Sequence, residues 1–509
     1  MNQVLTIFKK DVRRYWREAS ASIALLFAYA WVEVHSWTYR ETFAFAPRGL
    51  LSFNFLLTAV NVLTPVSWIF LTVRVVHGES LVGDRQFWLT RPYDWKKLIG
   101  AQFLFLLTFI NLPLLILDVF LLSRAGFHAS NYVLGLLWMQ VLVLMFVIVP
   151  AAALASVTAT VVQVLLSAAV IILYGIGMAA LSELIPGSEF SGPADSFAPI
   201  LLLAVCLAVI LLQYSRRKTT ASRLMILGLG VALFLLLVLA PYQKIVAHQF
   251  PPLRPGEQPP FQIHVLPPDS SQGNVDSAES KDIEIRMPLE VTGIPEEHFV
   301  NVYTFRIKFE TPSGARWDSG WQSRGFLLFP ERKGTDVSFT LKADLFKRIQ
   351  SSAAKVRVFF AFTLLHDGDQ HEFVVPEGQF DLVDVGHCFV EGGYVPALKC
   401  LAPLRGPGSL LITTDASKST CRHEATSSPE GIGRDWIHNS GSEPAELGIS
   451  PVQSFNIYVS GGTNNAGICA GTPLVLSKPE TLVSGQTEIQ ANDVPLAEYR
   501  EKPLRFTFR

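Results

Sequence analysis

Apolar residues fill the first 241 positions in long blocks and then give way to short segments that alternate with polar residues, so the two parts of the chain are written for different solvents. A helix needs about 20 mostly apolar residues to cross about 30 Å of hydrocarbon, where it alone satisfies its own backbone without closing into a barrel. Seven blocks meet that requirement, at 20–37, 50–73, 98–122, 132–150, 157–181, 197–214 and 224–241. No charge occurs between Asn131 and Ser182, so the turn between the fourth and fifth blocks is set at Pro150 and the small residues after it. The pattern therefore predicts a transmembrane domain over 20–241.

Ahead of the first block, Val4, Phe8, Val12, Tyr15 and Ala19 recur at steps of three and four, while Lys9, Lys10, Arg13, Arg14 and Arg17 lie mostly off that stripe. This spacing predicts an amphipathic interfacial helix over 1–19, its basic residues meeting anionic lipid head groups. The residues before the first block are too polar, and the block too long, for a cleaved leader, so the first span is expected to be retained.

Beyond the last block, 242–280 is rich in proline, then in Ser, Asp and Gly, and reads as a semi-extended stalk. Strand-like runs follow, among them DIEIRMPLEV, NVYTFRIKFET, DVSFTLKA, KVRVFFAFTLL, SLLITTD and SFNIYVS, with one helix-like piece, ADLFKRIQSSA. Short strands at this spacing predict β-sandwich modules over 281–385 and 386–509, dividing near Gly386. The fold class expected is a polytopic α-helical membrane domain of seven spans followed by an extracytoplasmic all-β part.

Charge sets the orientation. With the N-terminus inside, fourteen lysines and arginines fall on the inner side, against Arg40, Arg48 and Arg124 in the short outer loops. Seven spans then leave the C-terminal part outside, in a cytoplasmic (inner) membrane. Of five cysteines, Cys206 lies in an apolar block, whereas Cys388, Cys400, Cys421 and Cys469 lie in the polar part. An even set in that compartment is expected to form disulfides. Three pairings exist, and Cys388–Cys400 with Cys421–Cys469 is the sequence-local choice; no common zinc-ligand spacing is present.

The net charge is −1, with 50% hydrophobic and 17% charged residues, and no basic stretch suits a nucleic acid. Within the blocks, Glu33, His35 and Asp118 sit close enough to the predicted outer ends to reach head groups, while Asn54 and Asn61 share a helix face suited to holding neighbouring helices. Asn111, Gln140 and Gln163 are the other polar positions singled out.

The stretch IFKKDVRRYWRE, the inner segment VVHGESLVGDRQFWLTRPYDWKKLIGAQFL after the second span, and six spans before the basic break YSRRKTTASR together resemble an ABC-2-type transporter permease over about residues 1–215. Such permeases carry a glutamate, a glycine, a Leu-x-x-x-Pro-like element and a basic entry to the third span. These roles fall on Glu79, Gly83, the WLTRP at 88–92, and Lys96 with Lys97. The resemblance implies that the segment touches a separate ATPase subunit, which would hold ATP and Mg²⁺, and that two permeases, identical or different, form the membrane unit. A short helix over 84–89 would present Phe87, Trp88 and Leu89 as an apolar tip rimmed by Asp84 and Arg85, and Arg91-Pro92 would end it.

The chain has no G-x-x-x-x-G-K-[ST] loop, no H-E-x-x-H and no G-x-S-x-G, so neither ATP hydrolysis by a phosphate loop nor a motif-based hydrolase is expected of it, and it needs no cofactor of its own. The function expected is the permease subunit of an ATP-driven exporter. The alternative is a non-transporting envelope sensor or assembly protein on the same scaffold. The seventh span and the large outer part depart from the family pattern.

Overall fold

The computed structural model describes residues 2–38, 53–78, 94–182, 192–239, 242–254, 259–268, 282–322, 325–330, 334–382, 385–391, 397–404, 409–415, 432–438, 449–457, 459–461, 464–466 and 468–500. The chain divides into two compact units. One comprises Met1–Ile176, Ser196–Leu235 and His371–Ser477; the other comprises Gly177–Asp195, Leu236–Gln370 and Lys478–Arg509.

The helical part begins with α1 (Asn2–Thr38), which joins the amphipathic segment to the first apolar block through a kink at Tyr15 (φ −112°, ψ 15°). The following helices are α2 (Phe53–His77), α3 (Trp95–Arg124), α4 (Ala129–Val157), α5 (Val161–Ser182), α6 (Gly192–Arg216) and α7 (Thr219–Leu239). Among the described residues six helices, α2 to α7, are long and apolar enough to cross a membrane. The apolar half of α1 does not reach that standard, because Ser20, Ser22, Glu33 and His35 dilute it.

Pro150 does not make the turn expected of it. Helix α4 runs on to Val157, and Thr158–Thr160 separate it from α5. The reason is a π-helical turn at Leu144–Ile148, which ends two residues before the proline; a second, Leu107–Asn111 in α3, stands in the same relation to Pro113. Widening the helix by one residue absorbs the missing N–H and the ring without breaking the rod. Helix α5 is capped instead by its own side chains: Thr160 Oγ1 accepts from Gln163 N at 3.3 Å, and Gln163 Oε1 accepts from Ala159 N at 2.8 Å.

The second unit contains α8 (Tyr242–Gln249), β1 (Gln262–Val265), β2 (Asp282–Thr292), β3 (His298–Glu310), β4 (Arg316–Gln322), β5 (Phe326–Leu328), β6 (Gly334–Lys342), α9 (Ala343–Ile349) and β7 (Ala354–His366). After β7 the chain enters ten strands of the first unit: β8 (Gln370–Val374), β9 (Gln379–Leu382), β10 (Gly386–Glu391), β11 (Ala397–Pro403), β12 (Ser409–Asp415), β13 (Ile432–His438), β14 (Val452–Ile457), β15 (Val459–Gly461), β16 (Asn464–Ala466) and β17 (Pro473–Ser477). It then returns as β18 (Glu480–Val494), which pairs antiparallel along β7 from Glu480↔His366 to Val494↔Ala354.

The β-rich region is thus nested rather than serial. Residues 371–477 are inserted between two neighbouring strands of one sheet, where the sequence pattern put a division near Gly386. In the second unit a three-stranded sheet (β1-β2-β6) and a five-stranded one (β18-β7-β3-β4, with β5 beside β3) share a core of Ile285, Met287, Leu289 and Phe339 from one and Val302, Phe305, Ile307, Val358 and Phe360 from the other. Helix α8 lays Val246 against the outer face of the larger sheet beside Phe250, Trp321 and Ala361. Much of the expected stalk is therefore structured, because Val246, Phe250, Phe261 and Ile263 supply apolar surface that packs.

Candidate functional site

Glu79, Gly83, Asp84, Arg85, Phe87, Trp88, Leu89, Arg91 and Pro92 lie outside the described residues, but both flanks of their segment are described. Helix α2 leads in and ends at His77; α3 leads out, capped by Asp94, whose Oδ1 accepts from Lys96 N at 3.1 Å. The amphipathic half of α1 contacts both flanks. Its Arg14 Nη1 donates to Gly78 O at 3.2 Å, its Glu18 pairs with Arg74 at 3.5 Å, and its Gln3 Oε1 accepts from Lys97 Nζ at 2.8 Å.

Glycine at position 78 is what lets α1 approach. A Cβ there would stand 2.0 Å from the Tyr15 hydroxyl, and Tyr15 is 2% exposed. Ile7, Tyr15 and Ala19 form the buried face of this half-helix, while Lys9, Arg13, Arg14 and Arg17 are exposed and Lys10 is half-buried. The pattern did not mark Asp11, which is buried on that face and pairs with Lys10 at 3.7 Å.

The same ends of the helices are tied together by polar contacts that spacing does not disclose. His77 Nε2 meets Ala155 O at 3.1 Å and Thr158 Oγ1 at 3.2 Å. Arg223 donates twice to Val157 O, at 3.2 and 3.0 Å, satisfying a carbonyl that α4 leaves open at its end. Tyr214 donates to Gln102 Oε1 at 2.6 Å, and Gln102 Nε2 reaches Val75 O at 3.4 Å.

A second polar group lies deeper among the helices. Asp118, which the pattern sets near enough to the outer end of its span to reach head groups, is fully buried. Gln140 Nε2 donates to its Oδ2 at 2.9 Å, and Asn111 Nδ2 donates to Gln140 O and Oε1 at 3.1 and 3.2 Å. A helix pattern fixes which residues share a face but not which neighbour covers it, and α4 covers this one. Asn61 is exposed rather than set between helices, and the side chain of Asn54 lies outside the described residues.

The 371–477 segment contributes to the helical core of its own unit. Ile449 and Val452 share that core with Tyr29, Leu117, Leu121 and Leu122, and Ser450 faces both Tyr29 and Glu33. Glu33 Oε1 also accepts from Trp37 Nε1 at 3.4 Å. Phe127, just beyond α3, stacks on His387 with ring centroids 4.5 Å apart, and His387 pairs through Nδ1 with Asp381. Cys388 and Cys400 face each other across β10 and β11 and are joined by a disulfide. Cys469 is also disulfide-bonded, Cys421 lies outside the described residues, and Cys206 is a buried free thiol.

No family model and no curated protein matches the chain. Among solved structures it is similar to the crystal structure of red sea bream transglutaminase, with 11% identity and a TM-score of 0.14 over 49% of this chain. The chain spans 33% of that protein's length, and at such a score the likeness bears on neither fold nor activity.

Proposed function

We propose that this chain is the membrane-spanning permease subunit of an ATP-binding-cassette exporter, working with a separate ATPase subunit and as a dimer of permeases. In this reading the apolar half of α1 is a seventh span, the N-terminus is inside, and the β-rich part, a sandwich in its second unit, stands outside an inner membrane.

The observation that carries the reading is the grip of α1 on both flanks of the 79–93 segment. Arg14 holds the exit of α2 at Gly78, Glu18 holds Arg74, and Gln3 holds Lys97 at the entry of α3. A displacement of that segment by a partner is delivered to three helices together, which is what transmission from an ATPase to a set of spans requires. Phe87, Trp88 and Leu89 are the proposed contact tip, and the exposed Lys9, Arg13 and Arg17 remain available to lipid head groups.

Purification of the full chain from its native membrane in mild detergent tests the partner: an ATPase subunit should co-purify, and it should be lost with Trp88→Ala. If no ATPase accompanies the wild-type chain, the reading fails.

A second reading, an envelope sensor or assembly protein without transport, draws on a different contact. Ile449, Ser450 and Val452 pack among α1 and α3, so a load on the 371–477 segment would reach the same helices. ATP-dependent transport from vesicles separates the two.

A further inference from the structure

We propose that Asp118, with Gln140 and Asn111, forms a proton-binding site in the helical domain, and that Asp118 is the group that takes up the proton. The inference is independent of the permease reading and rests on the balance of donors and acceptors around this network.

Asp118 is fully buried, and Asn111 and Gln140 are 6% and 8% exposed. One neutral donor, Gln140 Nε2, serves Asp118 through Oδ2. Oδ1 of Asp118 has no hydrogen-bond partner among the described residues, and neither does Oδ1 of Asn111. The amides form a relay: Asn111 Nδ2 donates to Gln140, and one N–H of Gln140 Nε2 donates to Asp118. The network therefore has two orphaned acceptors, which the second hydrogen of Gln140 Nε2 does not reach.

The titratable neighbours do not mend this. Helix α1 presents Tyr29, which is 1% exposed and within electrostatic reach of both Glu33 and Asp118. Helix α4 presents the uncharged Gln140. Among the described residues no lysine, arginine or histidine pairs with Asp118. A bare carboxylate with a single neutral donor in such surroundings would carry a desolvation cost that proteins avoid by neutralising the group. A proton on Oδ1 cancels the charge and turns an orphaned acceptor into a donor.

The helix geometry around the site is irregular on both sides. Asn111 closes the π turn of α3, and Gln140 lies one helical turn before that of α4. Such turns are frequent at functional positions in helices, and here they flank the two residues that connect Asp118 to its surroundings.

The full chain in lipid nanodiscs, measured by infrared spectroscopy, tests the proposal. At neutral pH the wild type should show the C=O stretch of a protonated carboxylic acid, displaced by ²H₂O and by ¹³C-labelled aspartate, which assigns it to an aspartate. The band should vanish in Asp118→Asn and persist in Glu33→Gln. Removing the proton leaves a bare charge among apolar side chains, so the wild-type unfolding temperature should fall as pH rises, and Asp118→Asn should flatten that fall. Absence of an aspartic-acid band in the wild type overturns the proposal. So does an aspartic-acid band that survives Asp118→Asn, or stabilisation of the wild type by sodium over choline that Asp118→Asn abolishes, since sodium would then be the occupant.

Discussion

Arg14 of α1 donates its Nη1 to the carbonyl of Gly78, 64 residues further along, at 3.2 Å. This bond fastens the amphipathic half-helix to the last residue described before the 79–93 segment. The neighbouring Tyr15 packs where a side chain at position 78 would otherwise be.

Gly78→Ala should therefore force the buried Tyr15 ring outward and destabilise the chain by about 1–3 kcal/mol, in the range of small-to-large changes at packed sites. In Tyr15→Phe the first obstacle is gone, and the next ring atom is 3.2 Å away, so the same glycine substitution should cost less. A double-mutant cycle on thermal unfolding in detergent checks this, and additive effects would contradict the contact.

Replacing Cys388 and Cys400 together by alanine should weaken the 371–477 segment by roughly 3 kcal/mol, the chain-entropy value for a loop of this size; the two are 12 positions apart in the sequence. Limited proteolysis of the full chain across a denaturant series should show that segment cleaved earlier, and reductant should shift the wild type at least as far, since it also opens the bond of Cys469. An unchanged cleavage profile would contradict the assignment.

Asp318 supplies a pH dependence outside the membrane helices. Partial burial pushes its carboxyl upward, but hydrogen bonds from Arg306 and the Gly320 N–H, with the charges of Arg306 and Lys308, outweigh that and hold it below the usual carboxylate value. Its contribution to stability is then present above the unfolded value, about 3.9, and is lost as pH falls through the lower folded value. The second unit of the wild type should lose stability on acidification below about pH 4. Asp318→Asn should begin less stable at neutral pH and lose less over that range. Parallel pH profiles would refute this.

How far the sequence discloses these features depends on how local their causes are. The apolar blocks behind α2 to α7 are legible because one solvent requirement governs every residue in them. The strands DIEIRMPLEV, NVYTFRIKFET and KVRVFFAFTLL correspond to β2, β3 and β7, since alternation is a property of the strand alone. The partner of β7 is not legible: β18 carries Ser484, Gly485 and Gln486 in mid-strand and pairs with residues more than a hundred positions earlier. Burial of Asp118 depends on which helix covers it, and the passage of α4 through Pro150 depends on a π turn; neither leaves a periodic trace. The flanks of the proposed coupling segment could be anticipated at Asp94, whose capping role is local, but not at Arg14, Glu18 or Gln3, whose partners lie 64, 56 and 94 positions away.

The most direct test of the coupling account is ATP-dependent transport by vesicles containing the full chain and its co-purified ATPase, comparing wild type with Trp88→Ala and Arg14→Ala. The account predicts transport in the wild type, loss with Trp88→Ala through failure to engage the ATPase, and transport reduced relative to ATP hydrolysis in Arg14→Ala, where the ATPase still docks but α1 no longer holds the exit of α2 at Gly78 and keeps only the contacts of Glu18 and Gln3. Transport at the wild-type rate in both variants, or none in the wild type with an active ATPase bound, would contradict it.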